Sequence, residues 1–264
     1  MNTKILQNSI LYNWRKDKNL SKLLNAFNKK VEICFVGGCI RDFLLGVQIN
    51  EIDFAINCKP SEVIKILSDN SINYKDYGVS HGTVTALING NKFEITSLRK
   101  DVKTDGRYAK VEFTNNWKED ALRRDFRMNG IFLSAEGVIY DFVNGISDIK
   151  NQKISFIGNT KKRIEEDYLR ILRFYRFLGI YKKPKYELKD FNIANDSFDH
   201  IKEHVSNNKI KSQLIKMLKN PFWKNTFYTK DMKKNILYKK IEQWWIEENY
   251  LSGIKELDKC HIDL

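Results

Sequence analysis

Apolar residues recur along this chain with two different periods, and the change near residue 146 divides it. In the first stretch, Ile10, Leu11, Trp14, Leu20, Leu23, Leu24 and Phe27 fall at roughly helical spacing. They predict a helix within Leu6–Asn28, broken near Lys16-Asp17. Val31–Val36 is a short run of small and apolar residues suited to a buried strand, and Gly37-Gly38 ends it. A helix over Ile40–Leu45 and a strand over Ile52–Ile56 follow. Pro60-Ser61 opens the next helix, with proline at an early position where its missing N–H does no harm. Asn89-Gly90, between Val79–Ile88 and Lys92–Leu98, is a hairpin signal. Arg99–Lys110 is polar and charged and reads as a loop. Short strands are expected at Val111–Phe113, Ile131–Leu133 and Val138–Phe142, with Asn144-Gly145 turning out of the last.

Beyond Ile146 the period becomes helical. Residues 163–178 read as helix, with Glu166, Asp167, Arg170 and Arg173 on one charged stripe and Leu169, Leu172, Tyr175 and Phe177 around the rest. After Pro184 the chain is Lys-rich and aromatic, with Phe198, Phe222-Trp223, Phe227-Tyr228, Trp244-Trp245 and Tyr250. Aromatics among lysines can stack on nucleobases, and they equally make the core of a small helical unit.

Charge sharpens the division. The 264 residues carry a net charge of +13. Residues 1–150 hold 22 Lys and Arg against 18 Asp and Glu; residues 151–264 hold 24 against 15. A near-neutral first half and a basic second half suit a catalytic part beside a part that holds a polyanion. A Lys-, Asn- and Ile-rich composition is equally the mark of an AT-rich genome. The four cysteines (Cys34, Cys39, Cys58, Cys260) lack metal-ligand spacing and read as reduced thiols. No stretch approaches transmembrane length, and Met1–Asn19 has no apolar signal region, so a cytoplasmic protein is expected.

The candidate chemistry is concentrated in Cys34–Phe54. Glycines at Gly37-Gly38 let backbone N–H groups approach an anion, and Arg41 follows one helical turn later. Asp42 is next to it. In an extended Glu51-Ile52-Asp53, the two carboxylates would share one face, an arrangement tolerated best when a divalent cation bridges them. Glu94, between the apolar Phe93 and Ile95, would point to the opposite side from them and offer a third carboxylate. The plainer readings are a turn, a solvated strand edge and a solvent-facing Glu. Arg123-Arg124-Asp125-Phe126-Arg127-Met128-Asn129 collects guanidinium forks that suit a triphosphate and an Asn that can donate and accept; a charged cap beside a core strand is the plainer account. Asp199-His200 stands isolated, with no second His/Asp cluster to join it.

These motifs, in this order, resemble the class II tRNA nucleotidyltransferases, the bacterial-type CCA-adding enzymes, which share their head with bacterial poly(A) polymerases. The residues that carry the resemblance are Phe35-Val36-Gly37-Gly38-Cys39-Ile40-Arg41-Asp42, Glu51-Ile52-Asp53, Arg123-Arg124-Asp125-Phe126 with Asn129, and Glu166-Asp167 with Arg170, Arg173 and Arg176-Phe177. The resemblance covers about residues 30–180. It implies an α+β fold: a polymerase-β-like nucleotidyltransferase head with a mixed β-sheet over 1–145, then an all-helical neck over 146–184 bearing the nucleotide-selecting helix, and a reduced helical body and tail over 185–264 for tRNA binding. It also implies addition of C, C and A to tRNA 3′ ends from CTP and ATP, with release of pyrophosphate and magnesium as the cofactor. By the family pattern Glu51 and Asp53 bind metal, Glu94 is a third catalytic carboxylate, and Gly37, Gly38, Arg41 and Asp42 position the triphosphate. Arg124, Asp125 and Asn129 recognise the ribose. Asp167 and Arg170 read the base edge, and Arg173 and Arg176 brace that helix or touch phosphate.

Two positions depart from the family pattern: Glu51 stands where Asp is usual, and Arg127 where a small polar residue is usual. Related outcomes of the same chemistry are CC-only addition, A-only addition and poly(A) synthesis. The Asp105-Gly106-Arg107-Tyr108-Ala109 stretch resembles the tRNA enzymes' loop. An inactive RNA-binding homologue is the reading from a different class.

Overall fold

The structure, a computed structural model, describes residues 14, 16–27, 31–49, 51–104, 109–228 and 233–248, the side chains of 101–111 and 243–248 excepted. They fall into two compact units, one formed by residues up to 104 together with 109–149, the other by residues from 150 onward.

In the first unit, α1 (Lys18–Phe27) begins where the Asp17 carboxylate accepts the N–H groups of Asn19 (2.8 Å) and Leu20 (3.1 Å), a side-chain cap on otherwise orphan donors. That cap is the expected break at Lys16-Asp17. Residues 6–13, 15 and 28 of the expected helix lie outside the described residues. A seven-stranded mixed sheet follows, built from β1 (Ile33–Val36), β2 (Asp53–Ile56), β3 (Asn73–Lys75), β4 (Thr83–Ile88), β5 (Asn91–Ser97), β8 (Ile131–Ser134) and β9 (Ile139–Asp141). Its order is β3-β4-β5-β2-β1-β8-β9, with β2 and β5 parallel and every other neighbour antiparallel. The hairpin between β4 and β5 turns on Asn89 and Gly90, both at positive φ, as a type I′ turn demands.

One face of the sheet is apolar. Phe54, Ile56, Phe93, Ile95, Val84 and Ala86 are buried there, and α1 and α3 (Pro60–Asp69) contribute Leu20, Leu23, Phe27, Val63 and Leu67 to the same core. At about 25 cal/mol per Å² of apolar surface removed from water, such a face is the main support of the unit. Residues of opposite parity on β4 and β5, Thr83, Thr85, Glu94 and Thr96, lie on the other face and are exposed or half-buried.

Arg99–Lys110, expected as a loop, instead contributes a separate hairpin of β6 (Arg99–Thr104) and β7 (Ala109–Phe113). Backbone pairing of Arg99 with Phe113 and Lys100 with Glu112 needs no alternation of apolar residues, so the hydrophobic pattern gave no sign of it. Residues 105–108 of the loop-like motif lie outside the described residues. Next come α2 (Gly38–Leu44, between β1 and β2), α4 (Trp117–Arg123), a 3-10 turn at Arg127–Asn129, and α5 (Gly145–Lys150) after β9.

The second unit is helical: α6 (Thr160–Glu166), α7 (Leu169–Leu178), α8 (Leu188–Asp196), α9 (His200–His204), α10 (Asn207–Leu218), α11 (Lys224–Phe227) and α12 (Ile236–Glu248). The α7 helix is its axis, burying Ile171, Leu172, Phe174, Tyr175, Phe177 and Leu178. Phe174, Tyr175, Tyr186, Phe191 and Phe198 form one ring cluster at centroid distances of 5.1 to 6.3 Å. Phe198 and Phe227 are thus core. No helix among the described residues is long and apolar enough to cross a membrane.

Candidate active site

The site in the first unit is built where β1 ends and β2 begins, alongside the middle of β5. Val36 of β1 pairs with Asp53 of β2, and Asp53 pairs in parallel register with Glu94 of β5. Residues directly opposite on neighbouring strands point to the same face, and the strands lie about 4.8 Å apart. The Asp53 and Glu94 carboxylates therefore stand side by side on the open, polar face of the sheet.

Glu51 does not share that strand. The β2 strand begins at Asp53, and Glu51 is exposed in the segment before it. The cause is topological. Val36 is the last residue of β1 because Gly37 turns the chain at φ +76°, ψ −125°, so residues 51 and 52 have no partner left on β1. The register-held pair is Asp53 with Glu94, rather than Glu51 with Asp53 as an extended Glu-x-Asp would have it.

The turn at Gly37-Gly38 leads into α2 and is bracketed by two guanidinium groups. A Cβ placed on Gly37 would lie 3.8 Å from Arg124 Nη1, and one on Gly38 would lie 3.5 Å from Arg41 Nη2. The Gly37 conformation is one that L side chains rarely adopt. Arg41 donates through Nε to Asp42 Oδ1 (2.8 Å) and through Nη1 to Asn129 Oδ1 (2.8 Å). Asn129 Nδ2 donates in turn to Asp125 Oδ1 (3.1 Å), which also accepts the Phe126 N–H (2.8 Å). The chain Asp42–Arg41–Asn129–Asp125 thus ties the glycine turn to the second motif. Asp125 and Asn129 are buried. Nothing in the structure explains Arg127 in place of a small polar residue.

Asp120 was not singled out from the sequence, yet it holds Arg124 in place. Its side chain is 1 % exposed, against 14 % for Arg123 and 16 % for Arg124. Oδ1 accepts from Arg123 Nε (2.8 Å) and from the Arg99 backbone N–H (3.2 Å); Oδ2 accepts from Arg124 Nε (3.1 Å) and Nη2 (2.8 Å). Burial pushes its carboxyl up, and the charges of Arg124 and Arg123 outweigh this and hold it below the usual carboxylate range. Burial draws Arg123 down to about 10, against the pull of Asp120, which leaves it charged at neutral pH. The readable signal was the i, i+3 and i, i+4 spacing of Asp120 to the two arginines. Beneath β2, the Cys39 thiol donates to the Val36 carbonyl (3.3 Å), and burial pushes it up to about 12. Cys34 and Cys58 are likewise raised by burial, and all three are free thiols.

In the second unit the charged stripe is interrupted. Asp167, exposed and extended, separates α6 from α7, and its Oδ1 accepts the Leu169 N–H (3.0 Å). A short acceptor side chain that competes with the helix backbone in this way restarts the helix rather than continuing it. Arg170 is buried and turned toward α6, donating through Nη1 to Glu166 Oε2 (2.7 Å) and the Arg163 carbonyl (2.6 Å). Glu166 also receives Arg163 Nη1 (2.6 Å). Asp167 and Arg170 are thus sequence neighbours with different partners. Arg176 donates to Gln213 Oε1 on α10 (2.9 Å) and lies over the Phe177 ring, as Arg173 also does. In this arrangement Arg176 braces α7.

Two carboxylates on adjoining strands, beside a glycine turn flanked by guanidinium groups, suit oxygen-ligated divalent cations and polyphosphate. The sequence profile of the poly(A) polymerase head domain matches residues 33–155. The chain is 46 % identical over 169 residues to the human mitochondrial CCA tRNA nucleotidyltransferase 1, covering 63 % of this chain and 38 % of that protein. It is 38 % identical over 194 residues to the CCA-adding enzyme of Ligilactobacillus salivarius, covering 72 % and 46 %. It therefore spans less than half the length of either relative. The structure aligns with a crystal structure of the Bacillus stearothermophilus CCA-adding enzyme in complex with CTP at a TM-score of 0.70 and 27 % identity, over 80 % of this chain and 50 % of that one. The expected α+β nucleotidyltransferase head is the fold observed, the likeness to the class II tRNA nucleotidyltransferases holds, and residues 33–155 match the poly(A) polymerase head-domain family.

Proposed function

We propose that this protein is a CCA-adding tRNA nucleotidyltransferase, adding C, C and A to tRNA 3′ ends from CTP and ATP. The observation that carries this reading is the register pairing of Asp53 with Glu94 next to a glycine turn bracketed by Arg41 and Arg124. The named activities of the human and Ligilactobacillus relatives support it.

In this reading the 3′ hydroxyl of the RNA attacks the α-phosphorus of the bound nucleotide; a P–O bond forms and pyrophosphate leaves. Magnesium, held by Glu51 and Asp53 with Glu94 as a third carboxylate, would lower the pKa of the attacking hydroxyl and offset charge on the leaving oxygens. The chain's own part is to bind and orient. Gly37 and Gly38 present backbone without side-chain obstruction, so phosphate oxygens reach the turn. Arg41 and Arg124 neutralise the triphosphate from either side, and Asp120 keeps Arg124 aimed. Asp42 holds the Arg41 fork, and Asn129 with Asp125 fixes the ribose end of the same network. Asp167 supplies an exposed acceptor for the amino edge of cytosine or adenine; Arg170 supplies the donor once it leaves Glu166, and Arg173 and Arg176 keep α7 in place. The head, neck and body divide near 145 and 184, and the basic second half, +9 over residues 151–264, holds the tRNA phosphates. Free buried thiols suit a reducing compartment such as the cytoplasm.

Incorporation on a tRNA transcript lacking its terminal CCA, with labelled CTP or ATP and magnesium, resolved at single-nucleotide length, tests this. Three added residues, C, C, then A, are expected. Two C residues only would convert the reading to CC addition, A alone to A addition, and long A tails on unrelated RNA to poly(A) synthesis. No incorporation of either nucleotide would leave an RNA-binding homologue, for which exposed Glu51 in place of Asp is the favouring feature.

A further inference from the structure

The second unit carries a cluster of ligand atoms that nucleotide addition does not use. His200, Glu203 and His204 fall at i, i+3 and i+4 on α9, so their side chains emerge from one side of a single turn. His200 Nδ1 lies 3.6 Å from Glu203 Oε2, and His204 Nε2 lies 3.7 Å from the same oxygen. All three ligand atoms are within 4.8 Å of one another, and all three residues are exposed. Bonds of 2.0–2.1 Å to a tetrahedral zinc put its ligands about 3.4 Å apart, so two of the three edges are already close to that value. Two imidazoles and a carboxylate are a borderline donor set. They favour zinc or cobalt over magnesium, which prefers oxygen ligands alone.

The two imidazoles are also held. The Tyr168 ring stacks on His204 at 4.6 Å and 15°, and leans on His200 at 5.2 Å and 39°. Ile201, between the two ligand histidines, is buried and anchors the helix. Asp199, the neighbouring carboxylate, is ion-paired with Lys240 at 2.6 Å and so does not compete for the metal. Read from the sequence, Asp199-His200 had no companions; the companions are Glu203 and His204, one turn further on, with Tyr168 brought to them by the fold.

We propose that His200, Glu203 and His204 form a binding site for a zinc-class divalent ion, distinct from the carboxylates at Asp53 and Glu94. The bound ion fixes the imidazoles against Tyr168, the residue that joins Asp167 to α7. The site leaves a fourth position open to water or a further ligand.

The test is a titration of the tag-free full chain with cobalt(II) alone, in excess magnesium so that the oxygen sites of the first unit are already filled. One equivalent of cobalt should bind with visible d–d absorption in the range expected of nitrogen ligation, and zinc should displace it. Zinc should raise the thermal midpoint of the parent. His204→Gln and His200→Gln lie at exposed positions, so the fold should persist; each should weaken binding by about tenfold or more and abolish the midpoint shift. Tyr168→Leu should weaken binding less, because it supports ligands without being one. Absence of nitrogen-type absorption in the parent, or undiminished affinity in both histidine variants, overturns the proposal. Neither result bears on nucleotide incorporation, which is read in magnesium.

Discussion

Replacing Asp120 by Asn keeps its shape and removes its charge. In the parent, two guanidinium groups and one backbone N–H converge on the carboxylate. The amide substitute offers one acceptor oxygen and turns an NH2 toward donors. Arg123 and Arg124 would then face each other, mostly withdrawn from water, without the Asp120 charge between them. Removing one partner of a buried ion pair costs roughly 3–5 kcal/mol. The residual exposure of the two arginines puts the expectation at the lower end, about 3 kcal/mol. For a chain of this size that is a fall in melting temperature of roughly 6–12 °C. Thermal melting by circular dichroism, with the urea midpoint as a second measure, reads it. A pH series adds a signature. A folded pKa held below the unfolded value contributes stability that is present above the unfolded value, about 3.9 for Asp, and is lost as pH falls through the lower folded value. The gap between parent and Asp120→Asn should therefore be constant from about pH 5 to 8 and close only below about pH 4. Kinetics supply the functional half: Arg124 loses its aim at the glycine turn, so KM for the nucleotide should rise more than kcat falls. A variant that melts within about 2 °C of the parent refutes the claim that Asp120 organises this corner.

Asp53→Ala should lower nucleotide incorporation by at least about a hundredfold while RNA binding in a filter assay stays near the parent level; activity close to parental would remove Asp53 from the chemistry. Gly37→Ala forces a side chain into a backbone conformation that costs on the order of 1–3 kcal/mol. The Cβ itself meets only ordinary contact with Arg124, so the loss should appear in nucleotide affinity and stability together, and an unchanged KM would mean that the turn is not at the phosphates. Asp167→Ala should blur the choice between CTP and ATP and cost about 1 kcal/mol for the lost cap on the Leu169 N–H. If the stability loss appears with the selectivity untouched, Asp167 is a helix cap alone. The same substitution at Arg170 is the less informative, because its bonds to Glu166 and the Arg163 carbonyl also support the junction of α6 and α7.

Much of the head was determined by the sequence itself. Short apolar runs, the Asn89-Gly90 turn and Gly37-Gly38 specify strand, hairpin and strand–helix turn through local sterics, and local sterics survive without knowledge of the fold. The motif order placed the candidate residues near the right elements for the same reason: each motif is a local device at a strand or helix end. What a linear reading could not decide was which of these ends meet. Alternation along one strand pairs Glu51 with Asp53; the ladder pairs Asp53 with Glu94, because β1 ends at Val36 and a parallel neighbour lies 41 residues away in the chain. The β6–β7 hairpin rests on backbone bonds, which hydrophobic patterning does not report. The helical stripe was legible as charge, yet the break at Asp167 and the turn of Arg170 toward Glu166 depend on competition between side-chain and backbone acceptors. Asp120 and the imidazole cluster show both sides of this. Their i, i+3 and i+4 spacings are written in the sequence, but the burial that makes Asp120 a strong anchor and the Tyr168 ring that orders the histidines exist only once the chain has folded.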